Sequence, residues 1–123
     1  MHDEVIRKIV GHLNQRDYDV YINPGQEKNA GINGNYPDVV MTKKNERVVK
    51  FIMEIETEES VTENEASQQW KKYADEIKAS FYIVVPNNLV SRAKEYCVKY
   101  NINARFASFT TNQHGDLSFN FNV

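Results

Sequence analysis

The sequence has few of the residues that stabilise extracellular domains or anchor proteins in membranes. Its single cysteine, Cys97, cannot form a disulfide within the chain. No apolar run approaches the ~20 residues of a membrane-spanning helix, and the polar, acidic start of the chain does not resemble a signal peptide. These absences predict a cytoplasmic protein with no membrane association. Cys97 falls within an apolar helical pattern, which favours a small buried side chain over a nucleophile.

The sequence also lacks a positive charge balance. It has 15 basic and 17 acidic residues, with a net charge of −2. Proteins that coat duplex nucleic acid through bulk electrostatics are clearly basic, so the composition argues against that class. It does not exclude an enzyme that acts on nucleic acid, because a metal site concentrates acidic residues while a local basic surface holds phosphates.

Length and composition predict one globular domain that covers residues 1–123. A chain of 123 residues with 41% hydrophobic residues can bury a core without disulfides or metal staples. Hydrophobic periodicity predicts the order α-β-β-β-α-β-α-β-β. The helices are expected at residues 2–15, 62–78 and 89–100, and the strands at 18–22, 37–42, 48–56, 81–85, 104–110 and 117–122. Strands that alternate with long helices imply an α/β domain with a central mixed sheet.

Two stretches beside the predicted sheet have distinctive local patterns. Residues 24–35 are rich in glycine and asparagine, which predicts a loop that could contact a substrate. Thr62 and Glu65 have the spacing of a capping box, in which Thr62 caps the helix and Glu65 reaches back to the cap. Trp70 and Tyr73 lie in the apolar stripe of that helix, which favours core packing over base stacking.

Acidic residues lie near the ends of two neighbouring predicted strands. Asp38 begins the second strand and Glu54 lies near the end of the third, so the two carboxylates can approach each other. Glu56 shares the face of Glu54, because side chains alternate along a strand. Carboxylates that converge in this way repel one another unless a cation binds them, and Mg²⁺ prefers such oxygen ligands. The plain alternative is a set of solvated acids at the ends of strands.

These residues, in this order of elements, resemble the PD-(D/E)xK nuclease superfamily, in the small form of archaeal Holliday-junction resolvases and restriction-endonuclease-like proteins. The resemblance covers roughly residues 1–86 and implies a three-layer α/β/α domain. Pro37-Asp38 matches the first acid of the motif and Glu54 the second. Glu4 would match a helix-borne acid of the family, and Gln69 with Tyr73 matches the signature of its RecB-like branch.

The resemblance implies Mg²⁺-dependent (or Mn²⁺-dependent) hydrolysis of a phosphodiester, with DNA as the expected substrate. Asp38, Glu54 and the backbone carbonyl of Ile55 would hold the metal, which would activate a water molecule. Gln69 would orient that water or a phosphate oxygen. Tyr73 would pack against the site or contact the nucleic-acid backbone. Because double-strand or junction cleavage needs two sites, a homodimer is compatible with this interpretation.

Glu56 departs from the family pattern, which usually has a lysine at this position. The glutamate could serve as an extra ligand or general base, or a lysine could have migrated to the following helix. The sequence could also have lost catalysis and kept the scaffold. Lys72 is the best candidate for a migrated lysine, since it lies on the same side of the helix as Gln69, although most helix lysines are simply solvated.

Three functions therefore remain open. The leading hypothesis is a metal-dependent endonuclease or resolvase-like enzyme that uses Asp38, Glu54 and Glu56, with Gln69 in support. The alternative is a catalytically inactive module of the same fold that binds nucleic acid or a protein partner. A third option is a small structural subunit of a larger complex, which would expose an apolar patch.

Overall fold

A single mixed sheet organises the part of the chain that the structure describes. The computed structural model describes residues 1–23, 31–32 and 34–123, so most of the predicted loop at 24–35 lies outside the described residues. The six strands are adjacent in chain order: β1 (Tyr18–Ile22), β2 (Val39–Lys43), β3 (Val49–Ile55), β4 (Ser80–Pro86), β5 (Arg105–Thr111) and β6 (Leu117–Asn120). β4 pairs in parallel with both β3 and β5, and the remaining neighbours pair antiparallel.

The helices follow the predicted order of elements. They are α1 (His2–Val10), α2 (Glu63–Glu65), a π-helical segment (Ala66–Trp70), α3 (Lys71–Glu76), a 3₁₀ turn (Asn87–Leu89) and α4 (Val90–Lys99). The α/β class and the mixed sheet predicted from the sequence are therefore confirmed. None of the helices in the described part of the chain is long and apolar enough to span a membrane.

α1 is shorter than the predicted helix at residues 2–15. It ends at Val10, and Gly11 forms its C-cap. Three residues later the side chain of Asn14 accepts hydrogen bonds from the backbone N–H groups of Arg16 and Asp17. This local turn competes with the helix for backbone donors, and it directs the chain into β1.

The sheet buries one hydrophobic cluster on each face. One cluster joins Val5, Ile6 and Ile9 of α1 to side chains that include Met53 and Ile55 of β3. The other joins Ile52 of β3 to the π-helical segment, α3 and α4, and its members include Trp70, Tyr73, Ala93 and Cys97. Alternation along β3 places Glu54 on the Ile52 face, beneath the π-helical segment and α3.

The predicted helix at residues 62–78 is interrupted by the π-helical segment. The N–H of Lys71 bonds to the carbonyl of Ala66, five residues earlier, where an α-helix would use a carbonyl four residues earlier. The capping-box prediction is half correct. Thr62 Oγ1 accepts a hydrogen bond from the N–H of Glu65 at 3.1 Å. The Thr62 N–H instead donates to the carbonyl of Ser60, and the Glu65 side chain lies beside Glu54 and Glu56.

Candidate functional site

Asp38 and Glu54 lie opposite each other where β2 begins and β3 ends. Val39 pairs with Met53 in the antiparallel ladder, so Asp38 faces Glu54 one residue further along. The backbone N–H of Asp38 donates to Glu54 Oε1 at 3.1 Å. Both residues are buried, and as whole residues Asp38 is 8% exposed and Glu54 is 4% exposed. The register of β2 and β3 thus brings Asp38 and Glu54 close together, as the sequence predicted.

The Asp38 carboxylate is held by two donors that share one oxygen. Oδ2 accepts from the Ile55 N–H at 2.7 Å and lies 3.1 Å from Nε2 of His2. The N–H and carbonyl of a strand residue point toward the same neighbouring strand, so the Ile55 carbonyl lies on this edge of β3 as well. The hydrogen bond with Asp38 is the largest cause that raises the pKa of His2 to about 9, against the effect of burial.

Glu54 also belongs to a group of three close carboxylates. Glu54, Glu56 and Glu65 each offer an oxygen, and these oxygens lie within 4.8 Å of one another. Glu54 and Glu56 lie on one face of the sheet by strand alternation, and Glu65 approaches from α2 above that face. Glu54 is therefore shared, with Asp38 on one side and with Glu56 and Glu65 on the other.

Burial makes the charged form of these carboxyls costly. Burial is the largest cause that raises the pKa of Glu54 well above its ordinary value, and the charges of Asp38 and Glu56 raise it further. Burial also raises the pKa of Glu56 to about 7, although hydrogen bonds from Ser60 and Trp70 oppose the shift. The pKa of Glu65 is raised for the same first reason. A bound cation would remove this penalty, because it favours the ionised form of each group.

Glu56 directly follows Ile55, the last residue of β3. Its side chain is 3% exposed, and its Oε1 accepts a hydrogen bond from the Trp70 indole nitrogen at 3.0 Å. Among the described residues, no lysine or arginine forms a salt bridge with Glu54, Glu56 or Glu65. Lys72 is exposed, forms no salt bridge with these carboxylates and lines a cavity.

Gln69 and Tyr73 lie together on the helical side of the acids. Gln69 Nε2 donates to the Tyr73 hydroxyl at 3.0 Å. Both residues line a cavity of about 410 Å³ together with Lys72, Tyr36 and Gln68, and with Gly34 and Asn35. Burial, followed by the charge of Glu54, raises the pKa of Tyr73 to about 12, so its hydroxyl stays protonated near neutral pH.

The other predicted supporting acid, Glu4, lies on the exposed side of α1 and is not a member of the three-carboxylate group. From α1, the residue that reaches Asp38 is His2. The sequence did not indicate the contact of His2 with Asp38, because this contact depends on how α1 packs against the sheet. The capping-box pattern predicted that the Glu65 side chain would bond to the helix cap. His2 could have been considered from its position at the start of the same amphipathic helix as Glu4, two residues earlier.

Comparison of the chain with models of known protein families, with curated proteins and with solved structures finds no match.

Proposed function

We propose that this protein is a metal-dependent nuclease that hydrolyses phosphodiester bonds in DNA, as an endonuclease or resolvase-like enzyme. In this proposal the sheet and its flanking helices form a three-layer α/β/α restriction-endonuclease-like domain. Asp38, Glu54 and the Ile55 carbonyl would bind Mg²⁺ or Mn²⁺. The single observation that carries the proposal is the register of β2 and β3, which places Asp38 directly opposite Glu54.

The donors at this edge suit a hard divalent cation. They are the carboxylate oxygens of Asp38 and Glu54 with the neighbouring backbone carbonyl of Ile55, and Cys97 is not among them. Mg²⁺ and Mn²⁺ prefer such oxygen ligands, whereas sulfur and imidazole sites favour softer metals. The raised pKa of Glu54 gives a physical reason for cation binding, because a carboxyl that is buried beside Asp38 and Glu56 is difficult to ionise without a cation.

The metal and the residues around it would activate the water, orient it and accept its proton. A bound divalent cation would polarise the phosphate and lower the pKa of a water molecule. Gln69 would orient that water or a phosphate oxygen with its amide, which Tyr73 holds through their hydrogen bond. Glu56, with a pKa of about 7, could accept a proton near neutral pH, which is the property that a general base needs.

The hydrogen bond between Trp70 and Glu56 favours a second candidate function. It holds the Glu56 side chain in the core, and among the described residues no lysine or arginine forms a salt bridge with that side chain. The alternative is therefore a catalytically inactive nuclease-fold module that binds nucleic acid or a protein partner. Such a module would need no metal, and removal of a buried carboxylate would leave it as stable or more stable.

The test of the leading proposal is a cleavage assay with Mg²⁺ or Mn²⁺ on single-stranded, duplex and branched DNA, and on RNA. Asp38→Asn and Glu54→Gln keep the size of each side chain and should abolish cleavage. Glu58→Gln changes an exposed acid nearby and should leave cleavage intact. Absence of cleavage by the unmodified protein on every substrate would reject the enzyme.

Titration calorimetry separates the two candidates. A nuclease site should bind Mn²⁺ and lose that binding on Asp38→Asn substitution. The inactive module should bind no divalent ion, and Asp38→Asn should leave its stability unchanged or improved. Sedimentation with and without branched DNA would test the homodimer, which the cleavage of two strands would require.

A further inference from the structure

The imidazole of His2 lies between two carboxylates at the start of α1. Nε2 is 3.1 Å from Asp38 Oδ2, and Nδ1 is 3.3 Å from Asp3 Oδ1. The two partners differ in burial, since the side chain of Asp38 is 11% exposed and that of Asp3 is 48% exposed. The contact with Asp38 thus links an outer helix to a buried residue of the candidate site.

The two oxygens of the Asp38 carboxylate differ in the hydrogen bonds that they accept. An ionised carboxylate only accepts hydrogen bonds, so His2 Nε2 must carry the hydrogen in this contact. The Ile55 N–H donates to the same oxygen, Oδ2, at 2.7 Å. No described residue donates to Oδ1. Two donors from different elements therefore fix the plane of the carboxylate and leave one oxygen available.

We propose that His2 is a positioning residue, which holds the Asp38 carboxylate in the orientation that binds the divalent cation. The proposal rests on the proposed function, in which Asp38 is a metal ligand. Groups that hydrogen-bond to a ligating carboxylate restrict its rotation before the metal arrives, and their loss typically weakens metal affinity 10–100-fold. Ile55 alone cannot restrict this rotation to the same extent, because a single hydrogen bond allows the carboxylate to turn about it.

The test compares three variants by Mn²⁺ titration calorimetry. His2→Ala removes the donor and should raise the dissociation constant about 10-fold or more. His2→Gln places an amide nitrogen where Nε2 lies and should recover most of the affinity. His12→Ala is the matched control, since His12 packs on Phe119 at a centroid distance of 5.0 Å, away from the acids, and should leave Mn²⁺ affinity unchanged. Unfolding curves for each variant would check that a loss of Mn²⁺ affinity is not caused by unfolding.

A second measurement tests the orientation of Asp38 without metal. The amide proton of Ile55 reports on its hydrogen bond to Oδ2, so it should shift upfield and exchange faster in His2→Ala but not in His2→Gln. An unchanged Ile55 signal in His2→Ala would overturn the inference whether or not metal binds. If the unmodified protein binds Mn²⁺ and His2→Ala binds it equally well, the positioning role fails while the proposed function stands. If the unmodified protein binds no Mn²⁺, the proposed function itself fails, and the role of His2 in cation binding fails with it.

Discussion

Trp70 donates the hydrogen of its indole nitrogen to Oε1 of Glu56 across 3.0 Å, inside the hydrophobic core. The contact joins the π-helical segment to the end of β3. It also helps to accommodate a buried glutamate, because the indole supplies a hydrogen-bond donor beside a group of three carboxyls. The raised pKa of Glu56 shows that this donor does not fully compensate for burial.

We expect Glu56→Gln to stabilise the fold above pH 7. A carboxyl whose pKa is higher in the folded than in the unfolded state favours folding while protonated, and that contribution is lost as pH rises. For Glu56 this stabilising contribution is lost between pH 4.5, the ordinary pKa, and about pH 7, the pKa in the folded protein. Glutamine has no charge to bury, so its advantage should be small at pH 4.5 and about 3 kcal/mol at pH 8. Urea unfolding of both proteins across this range measures it.

The control for that experiment is Glu58→Gln, which removes an exposed charge two residues along the chain. Its effect should be within about 0.5 kcal/mol at each pH. A Glu56→Gln protein that is less stable than the unmodified protein at pH 8 would show that Trp70 and Ser60 outweigh burial.

Trp70→Phe should destabilise the protein, because it removes the donor to Glu56 and leaves a gap in the core. Loss of a hydrogen bond to a charged group costs about 1.5–3 kcal/mol, and the missing ring volume adds to this. A double-mutant cycle with Glu56→Gln, measured by urea unfolding at pH 8, isolates the contact. We expect a coupling energy of about 1 kcal/mol or more. Strict additivity of the two substitutions would contradict an energetic role for the hydrogen bond.

Mn²⁺ should raise the thermal midpoint of the unmodified protein. A ligand at 100 times its dissociation constant stabilises the folded state by about 2.7 kcal/mol, which corresponds to several degrees for a domain of this size. Glu54→Gln should lose the shift, since Glu54 lies between Asp38 and the other two carboxyls of the three-carboxylate group. Differential scanning calorimetry with and without the ion measures it. A shift that survives in Glu54→Gln would place the bound ion elsewhere on the protein.

Gln69→Ala should reduce cleavage with little effect on stability. The amide of Gln69 is half-buried beside Tyr73, so its removal would leave the scaffold intact and the attacking water less well oriented. We expect a loss of kcat of about 10-fold or more, as for other groups that position reactants, and a stability change below about 1 kcal/mol. The matched control is Gln68→Ala, which alters the exposed neighbour. Equal activity of the two variants would remove Gln69 from the mechanism.

Thr42→Val should stabilise the protein. The hydroxyl oxygen of Thr42 is buried without a hydrogen-bond partner among the described residues, next to the irregularity between Met41 and Thr42 in β2. Valine has the same shape without the unsatisfied hydroxyl, so we expect a gain of about 1 kcal/mol in the free energy of unfolding. Thr110→Val, at an exposed position of β5, is the control and should change stability little. A destabilised Thr42→Val protein would mean that the hydroxyl finds a partner in solution.

The periodicity of the sequence determined the order of helices and strands. Alternation along residues 48–56 placed Glu54 and Glu56 on one face of a strand, because that period is a property of extended backbone. The helical spacing of apolar residues placed Trp70, Tyr73 and Cys97 in the core, and all three are buried. These features depend on local geometry and on burial of apolar side chains, which the order of residues specifies directly.

Only the tertiary structure determined which side chains contact the acidic residues of the site. His2 lies 36 residues from Asp38, and Trp70 lies 14 residues from Glu56, so neither contact follows from local spacing. The π-helical segment also changes the helical phase between Glu65 and Tyr73, which a uniform helical projection does not anticipate. The sequence by itself therefore determined the strands and the faces that carry the carboxylates. The packing of α1 and of the interrupted helix against the sheet decided their neighbours, because contacts between distant segments depend on how the whole core is filled.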